Sequence, residues 1–311
     1  MAMDSKYRLT DAHTHCRWDQ SIAPLVTVGP GEVVELETKE ASDKQIVPGS
    51  GVEALATLDF SVIHPLTGPV AIEGAEPGDV LEVEVLNIRP KEWGWTGIIP
   101  GFGLLAADFP EPYLKVWELE GDHTYFKPGI RIPLEPFCGV MGVAPAEPGS
   151  LDTIPPRQNG GNIDIKQLVK GSKLYLPVLY PGANFSLGDV HAAQGDGEVC
   201  GTAIEAPMIV TARFDLHKGG SIPELQYWTP GVASEKANTK GFYVTTGHSP
   251  DLYLAAQNAT RHMIAHLTKN YDLTRPEAYA LCSVAVDLRI SEIVDAPNWI
   301  VSAFLPLDIF E

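Results

Sequence analysis

The chain has 311 residues, 44% hydrophobic and 20% charged, with a formal net charge of −18. That length buries a sizeable core and suggests two domains or one large β-rich domain. A field this negative repels nucleic acid and anionic membranes, so a neutral or cationic substrate is the easier expectation. No run of about 18 apolar residues occurs, so no transmembrane helix is expected. The start MAMDSKYRLTDAHTHC has no signal-peptide core, and a cytoplasmic location is expected.

The 29 Gly and 26 Pro favour short strands joined by turns. Near the start, DAHTHCRWD places His13, His15 and Asp19 close together. His-x-His on a strand can grip one ion, which makes His15 a candidate ligand. The Asp-x-His-x-His order also resembles the opening of an amidohydrolase barrel. Such barrels need repeated strand–helix units, which are missing before residue 250.

Residues 21–40 alternate weakly. GPVAIEG then reads as a strand, AEPGD as a turn with Pro77-Gly78 at its centre, and VLEVEVLNI as a strictly alternating strand. His64 precedes Pro65 and is expected to be extended, lining a pocket or serving structure. Further strands are expected over 113–118, 129–134, 173–178 and 208–215.

AEPGSLDTIPPRQNGGN, over 146–162, reads as loop throughout and marks the expected break between a β-rich part, residues 1–150, and a β-rich catalytic part, residues 151–311. At its end QNGGNID presents Asn162 and Asp164 after paired glycines, to bind a metal or hold an amide, or merely as an Asx-turn.

The densest cluster of chemistry is SLGDVHAAQGDGEVCGTAIE, Ser186–Glu205. Asp189 and His191, two apart, share a face on an extended backbone and suit one ion. Glu198 and Glu205 are an odd number apart. On one continuous strand at most one could join that face, unless a bulge or bend intervenes. Glu198 is the candidate general acid/base and Glu205 the alternative. Cys200 invites comparison with a nitrilase-type Cys-Glu-Lys amidase, but that fold alternates strands and helices and this chain does not. The four scattered cysteines include no CxxC. No GxSxG, Walker or GxGxxG motif is present.

From Asp251 the period changes to helical, with Asp251 as N-cap. A second helix is expected from Thr274, capped by Thr274 and Glu277 and running to Cys282. Val284–Ile290 and WIVSAFLPL then read as strands.

Six segments together resemble the acetamidase/formamidase family: HCRW at 15–18, HPLTGPVAIEGAEPGDVLEVEV at 64–85, CGVMGVAP at 138–145, GGNID at 160–164, FSLGDVHAAQGDGEVCGTAIE at 185–205 and AYALCSVAVDLRISEIVD at 278–295. The resemblance covers nearly the whole chain. It implies a mainly β fold of intertwined barrel-like or sandwich-like parts with a smaller C-terminal α/β portion, cytoplasmic homo-oligomers, and a divalent metal, foremost zinc. It also implies hydrolysis of short aliphatic amides to carboxylate and ammonia.

Cys16 and Asp19 stand where members often carry Asn and His. That departure keeps a cyclic amide, imide or carbamate open as substrate; a non-catalytic binding protein on the same scaffold is the other alternative. The expected site has Asp189, His191, Asp164 and His15 as metal ligands, Glu198 as acid/base, and Asn162 and Gln194 holding the substrate amide.

Overall fold

The computed structural model describes residues 5–234 and 238–311. It is mainly β, 38% strand against 14% helix, and its sheets do not close into a barrel. Two six-stranded sheets form the body. The first runs Tyr7–Leu9, Val33–Glu37, Met208–His217, Val80–Pro90, Lys173–Pro177, Gln226–Trp228. The second runs Gly160–Asn162, Phe137–Gly142, Phe185–His191, Leu66–Ile72, Thr14–His15, with Val26–Val28 also paired to Leu66–Ile72.

Each large sheet takes strands from both sides of residue 150. One continuous core joins them. Val34, Leu36, Leu81 and Val83 on the first sheet belong to the same cluster as Val70, Met141, Phe185 and Leu187 on the second. Strand 80–90 shows why the alternating sequence is only partly diagnostic: Glu82 is buried because Lys173 and His217 meet its carboxylate, at 2.6 and 2.8 Å. A buried carboxylate is tolerated when such partners replace water.

The turn at Pro77-Gly78 forms as its residues dictate, Gly78 taking φ 95°, open to glycine at low cost. Helix α1, Leu252–Asn270, starts at Asp251, whose side chain accepts from the Tyr253 and Leu254 amides. Helix α2, Arg275–Ala285, starts in a complete capping box of Thr274 and Glu277. Such caps contribute about 1 kcal/mol each.

Two sequence boundaries move. Helix α2 continues three residues past Cys282, so the next strand begins at Asp287 rather than Val284. Fully buried Ser283 explains the extension: its hydroxyl donates to Thr202 O and accepts from Cys200 N, fastening the helix to the body. The segment read as loop at 146–162 contains two short strands, Leu151–Asp152 and Gly160–Asn162. Both pair with distant partners, Arg17–Trp18 and Phe137–Gly142, which local sequence does not disclose. A third sheet, Phe242–Ser249, Trp299–Pro306 and Asp287–Glu292, completes the C-terminal portion.

Candidate active site

The second sheet ends at a buried group of acidic and imidazole side chains. Asp189 and His191 lie on the strand Phe185–His191, beside Phe137–Gly142. The neighbouring strand has Gly139 where any side chain would collide. A Cβ there would come within 2.8 Å of Asp164 Oδ1, of the Asp189 carbonyl and of His191 Cε1. Gly139 O also accepts the Ile163 and Asp164 amides, which fixes the turn that carries Asp164.

Three carboxylate residues here have left-handed backbones: Asp164 at φ 47°, Asp189 at φ 48° and Glu198 at φ 43°. Non-glycine residues seldom adopt this region, and such conformations cluster at functional sites. The parity expected for an extended chain fails for this reason. Glu198 sits in a turn, its amide donating to Gly195 O and its carbonyl accepting from Gly201 N. Glu205 lies beyond the turn, bridged to both His191 and Trp95. Both glutamates therefore reach His191, whereas the sequence pattern admits one.

His191 is fully buried. Its Nδ1 pairs with Gln194 Oε1 at 2.9 Å, so Nδ1 carries the proton and Nε2 is the free atom. Gln194 Nε2 donates to the Asp164 carbonyl at 2.9 Å. Gln194 thus spends both ends of its amide on the protein and orients His191.

His191 Nε2 faces Glu205 Oε2 at 3.1 Å and Asp189 Oδ2 at 3.3 Å, and His64 Nε2 stands 3.8 Å from the same Asp189 oxygen. Glu205 Oε1 accepts from Ala203 N at 2.7 Å. Phe137 packs edge-on against the His191 ring.

His15 does not join this group. Its Nδ1 pairs with Arg17 O and its Nε2 with Ser186 Oγ, each at 2.8 Å, so both ring nitrogens are spent at the sheet edge. The second imidazole is His64, held through its amide by Thr153 Oγ1 at 2.7 Å. Cys200 Sγ lies 3.5 Å from Gly97 O, Thr202 O and Thr202 Oγ1, and burial raises its thiol pKa, as for a packed cysteine.

The electrostatics are those of crowded, buried ionisable groups. Burial raises Asp164 to about 7 and Glu205 to about 8, and it raises Glu198 well above the carboxylate range with Asp164 adding to the effect. Burial opposes ionisation of Asp189 too, but His64 and His191 outweigh it and hold that carboxyl well below the usual range. For His191, burial is outweighed by Glu205 and Asp189, which favour the protonated ring. Asp164 Oδ1, Asp189 Oδ1, Glu205 Oε2 and His191 Nε2 are buried without a hydrogen-bond partner.

Two overlapping sets have ligand atoms within 4.8 Å of one another: Asp164, Asp189 and His191, and His191, Glu198 and Glu205. Opposed acceptors buried this closely call for a proton or a metal ion between them. The residues present fit a divalent ion with nitrogen and oxygen ligands.

A cavity of about 60 Å³ opens onto the group. Its polar wall is His64, Asn162, Asp189, Glu198, Thr202 and Glu205, and its other wall is largely aliphatic and aromatic. Asn162 Oδ1 is buried and unpartnered beside it. One buried water needs about 10–15 Å³, so the space suits a few waters or a molecule of few heavy atoms.

A profile described as the Acetamidase/Formamidase family matches residues 2–149 and 146–311. The chain belongs to the acetamidase/formamidase family. An acetamidase of Mycolicibacterium smegmatis is 30% identical, with 86% of this chain and 84% of that protein covered. A gamma lactamase structure from Delftia acidovorans superposes with TM-score 0.90 at 29% identity, covering 97% of this chain and 90% of that one. An acetamidase structure from Bacillus halodurans gives TM-score 0.69 at 33% identity, with 97% of each chain covered. Family membership bears out the expectation of an amidohydrolase acting on linear amide C–N bonds.

Proposed function

We propose that the protein is a metal-dependent hydrolase of short aliphatic amides, with products carboxylate and ammonia. The observation that carries the metal is the cluster of buried, partnerless ligand atoms around His191 Nε2. Asp189, His191 and Glu205 would hold the ion, with Asp164 and His64 beside them, and zinc is the ion proposed. When bound, it supplies Lewis-acid polarisation of an amide carbonyl and acidifies water.

The chain's own residues do the rest. An amide has a weakly electrophilic carbon and a poor leaving group, so a proton must leave the attacking water and another must reach the departing nitrogen. Glu198 lines the cavity, and the Asp164 carboxyl near it helps to raise its pKa. Its raised pKa suits a group that takes a proton and returns it near neutral pH. Asn162 offers an amide whose Oδ1 can accept from the substrate nitrogen. The small cavity and apolar wall exclude bulk water and favour small neutral ligands.

A cyclic-amide reading is favoured by one observation, the closer superposition on the gamma lactamase than on the acetamidase structure. Homo-oligomeric assembly is also inferred, supported by Ile290, Ile293 and Val294, which are apolar and exposed.

The test is metal content of the purified protein, with ammonia release from acetamide, formamide and a γ-lactam before chelation, after it, and after zinc is restored. Activity indifferent to chelation and to His191→Ala overturns the metal mechanism. Absence of ammonia from every amide overturns the hydrolase.

A further inference from the structure

The apolar wall of the active-site cavity is the part that catalysis leaves unexplained. It is made by Phe60, Ile63, Trp95, Ile99, Phe102 and Ile154. Two of these stand at the surface, Phe60 at 42% exposure and Phe102 at 38%. They are therefore at the mouth, whereas Trp95 is buried inside with its indole N–H donating to Glu40 at 2.7 Å.

Phe102 has a specific seat. Its ring lies on Gly201, where an added Cβ would be 2.5 Å from Cδ1 and 2.6 Å from Cε1. Gly201 closes the turn that carries Glu198, and both residues line the same cavity. On the chain, Phe102 stands between Gly101 at φ 82° and Gly103 at φ 95°. Gly103 is pinned, since a Cβ there would meet the Cys200 carbonyl at 2.7 Å, while Gly101 has nothing within 4 Å. The aromatic is anchored on both sides, by the close seat of Gly103 and by its own amide, which donates to Ile99 O at 3.0 Å. It is wedged between the mouth and the acid/base turn.

We propose that Phe102 is the specificity-determining residue of the site: its ring, seated on Gly201, closes the acyl end of the cavity and limits the substrate to amides with a short acyl group. The inference rests on the amide-hydrolase reading above. With the carboxamide turned to Asn162 and Glu198, the acyl substituent must lie along the apolar wall. Phe102 is part of that wall and lines the space of about 60 Å³. A larger acyl group or a ring meets aromatic carbon unless Phe102 moves. Phe60, the other exposed aromatic of the wall, sits in a short 3-10 turn capped by Asp59.

The experiment compares wild type, Phe102→Ala and Phe102→Leu on acetamide, propionamide, butyramide and 2-pyrrolidinone. The ratio of kcat/KM for butyramide to that for acetamide is expected to rise about tenfold or more in Phe102→Ala, the scale of one or two methylenes in a pocket, and to rise less in Phe102→Leu. Unchanged ratios in folded variants overturn the inference. A second readout needs no turnover: calorimetric titration of butyramide into Glu198→Gln and into Glu198→Gln/Phe102→Ala. Tighter binding by about tenfold in the double variant supports the size limit, and equal affinity overturns it. A wild type inert on every amide overturns the hydrolase reading, while the titration still decides the role of Phe102. If Phe102→Ala does not fold, Phe102→Leu decides in both assays.

Discussion

Gln194 Oε1 accepts the Nδ1 proton of His191 at 2.9 Å, while the other end of the same amide is tied to the Asp164 carbonyl at 2.9 Å. One side chain thereby sets the tautomer of the central imidazole and links it to the turn bearing a carboxylate. Second partners of this kind tune metal ligands by orientation and basicity.

Removing that partner has a measurable consequence. Gln194→Ala frees His191 to rotate and leaves its Nδ1 proton buried without an acceptor. The expected loss is about 10–100-fold in metal affinity, read by competition titration with a zinc chelator. Gln194→Glu keeps an acceptor for Nδ1 but sets a carboxylate oxygen against the Asp164 carbonyl, so it restores only part of the affinity. Equal affinity in wild type and both variants would show that Gln194 does not position His191.

Gly139 makes a second prediction. Its missing side chain is the space into which Asp164, Asp189 and His191 converge, all at 2.8 Å from a would-be Cβ. Backbone and a buried imidazole bound that space, so it cannot open cheaply. Gly139→Ala is expected to destabilise the fold by about 1–3 kcal/mol and to weaken metal binding as well. Urea denaturation gives the first and metal titration the second. A variant of wild-type stability and affinity would show that the strand shifts freely.

How much of this was legible follows from particular residues. Asp189 and His191 are two apart on a strand, so their proximity is local information. The helix caps at Asp251 and Thr274 are local too, and both helices start where those residues stand. His64 reaches the site only because its strand neighbour Leu66–Ile72 pairs with Phe185–His191, a contact more than a hundred residues away in sequence. The local signal was its place in the HPLTGP segment, which alone distinguishes nothing from a structural histidine. Glu198 and Glu205 defeated the parity rule because a left-handed residue reverses the chain between them. An amide in a ligand-rich loop suits a substrate contact and a positioning role equally, and the two hydrogen bonds of Gln194 support the second.

Asp79 is expected to contribute to stability in acid. Asp79 accepts from Lys218 Nζ at 2.6 Å, from Gly219 N at 2.9 Å and from Glu76 N at 2.9 Å. The Lys218 and Gly219 bonds lead in holding its carboxyl at about 2, below its ordinary 3.8. A carboxyl depressed in the folded state stabilises the fold above its unfolded pKa, and that contribution is lost as pH falls from about 4 through about 2. Asp79→Asn is expected to lower Tm at neutral pH and to flatten the fall of Tm between about pH 4 and pH 2. Thermal melts across that interval check it; parallel curves for both proteins would remove Asp79 from the account.

The two glutamates that meet at His191 are expected to separate by function. Glu205 is committed on one oxygen to the Ala203 amide, and its other oxygen faces His191 Nε2 at 3.1 Å without a partner. That is the posture of a ligand. Glu198 is half-buried in a strained turn at the cavity wall, and the Asp164 carboxyl near it helps to raise its pKa, the posture of a group that trades protons. Glu198→Gln is therefore expected to keep its metal and lose about 10²–10⁴-fold in kcat, the usual contribution of a general acid/base. Glu205→Gln is expected to lose metal first, with activity partly restored by excess zinc. Metal analysis beside single-turnover rates separates the outcomes: metal lost from Glu198→Gln and kept by Glu205→Gln would exchange the two roles.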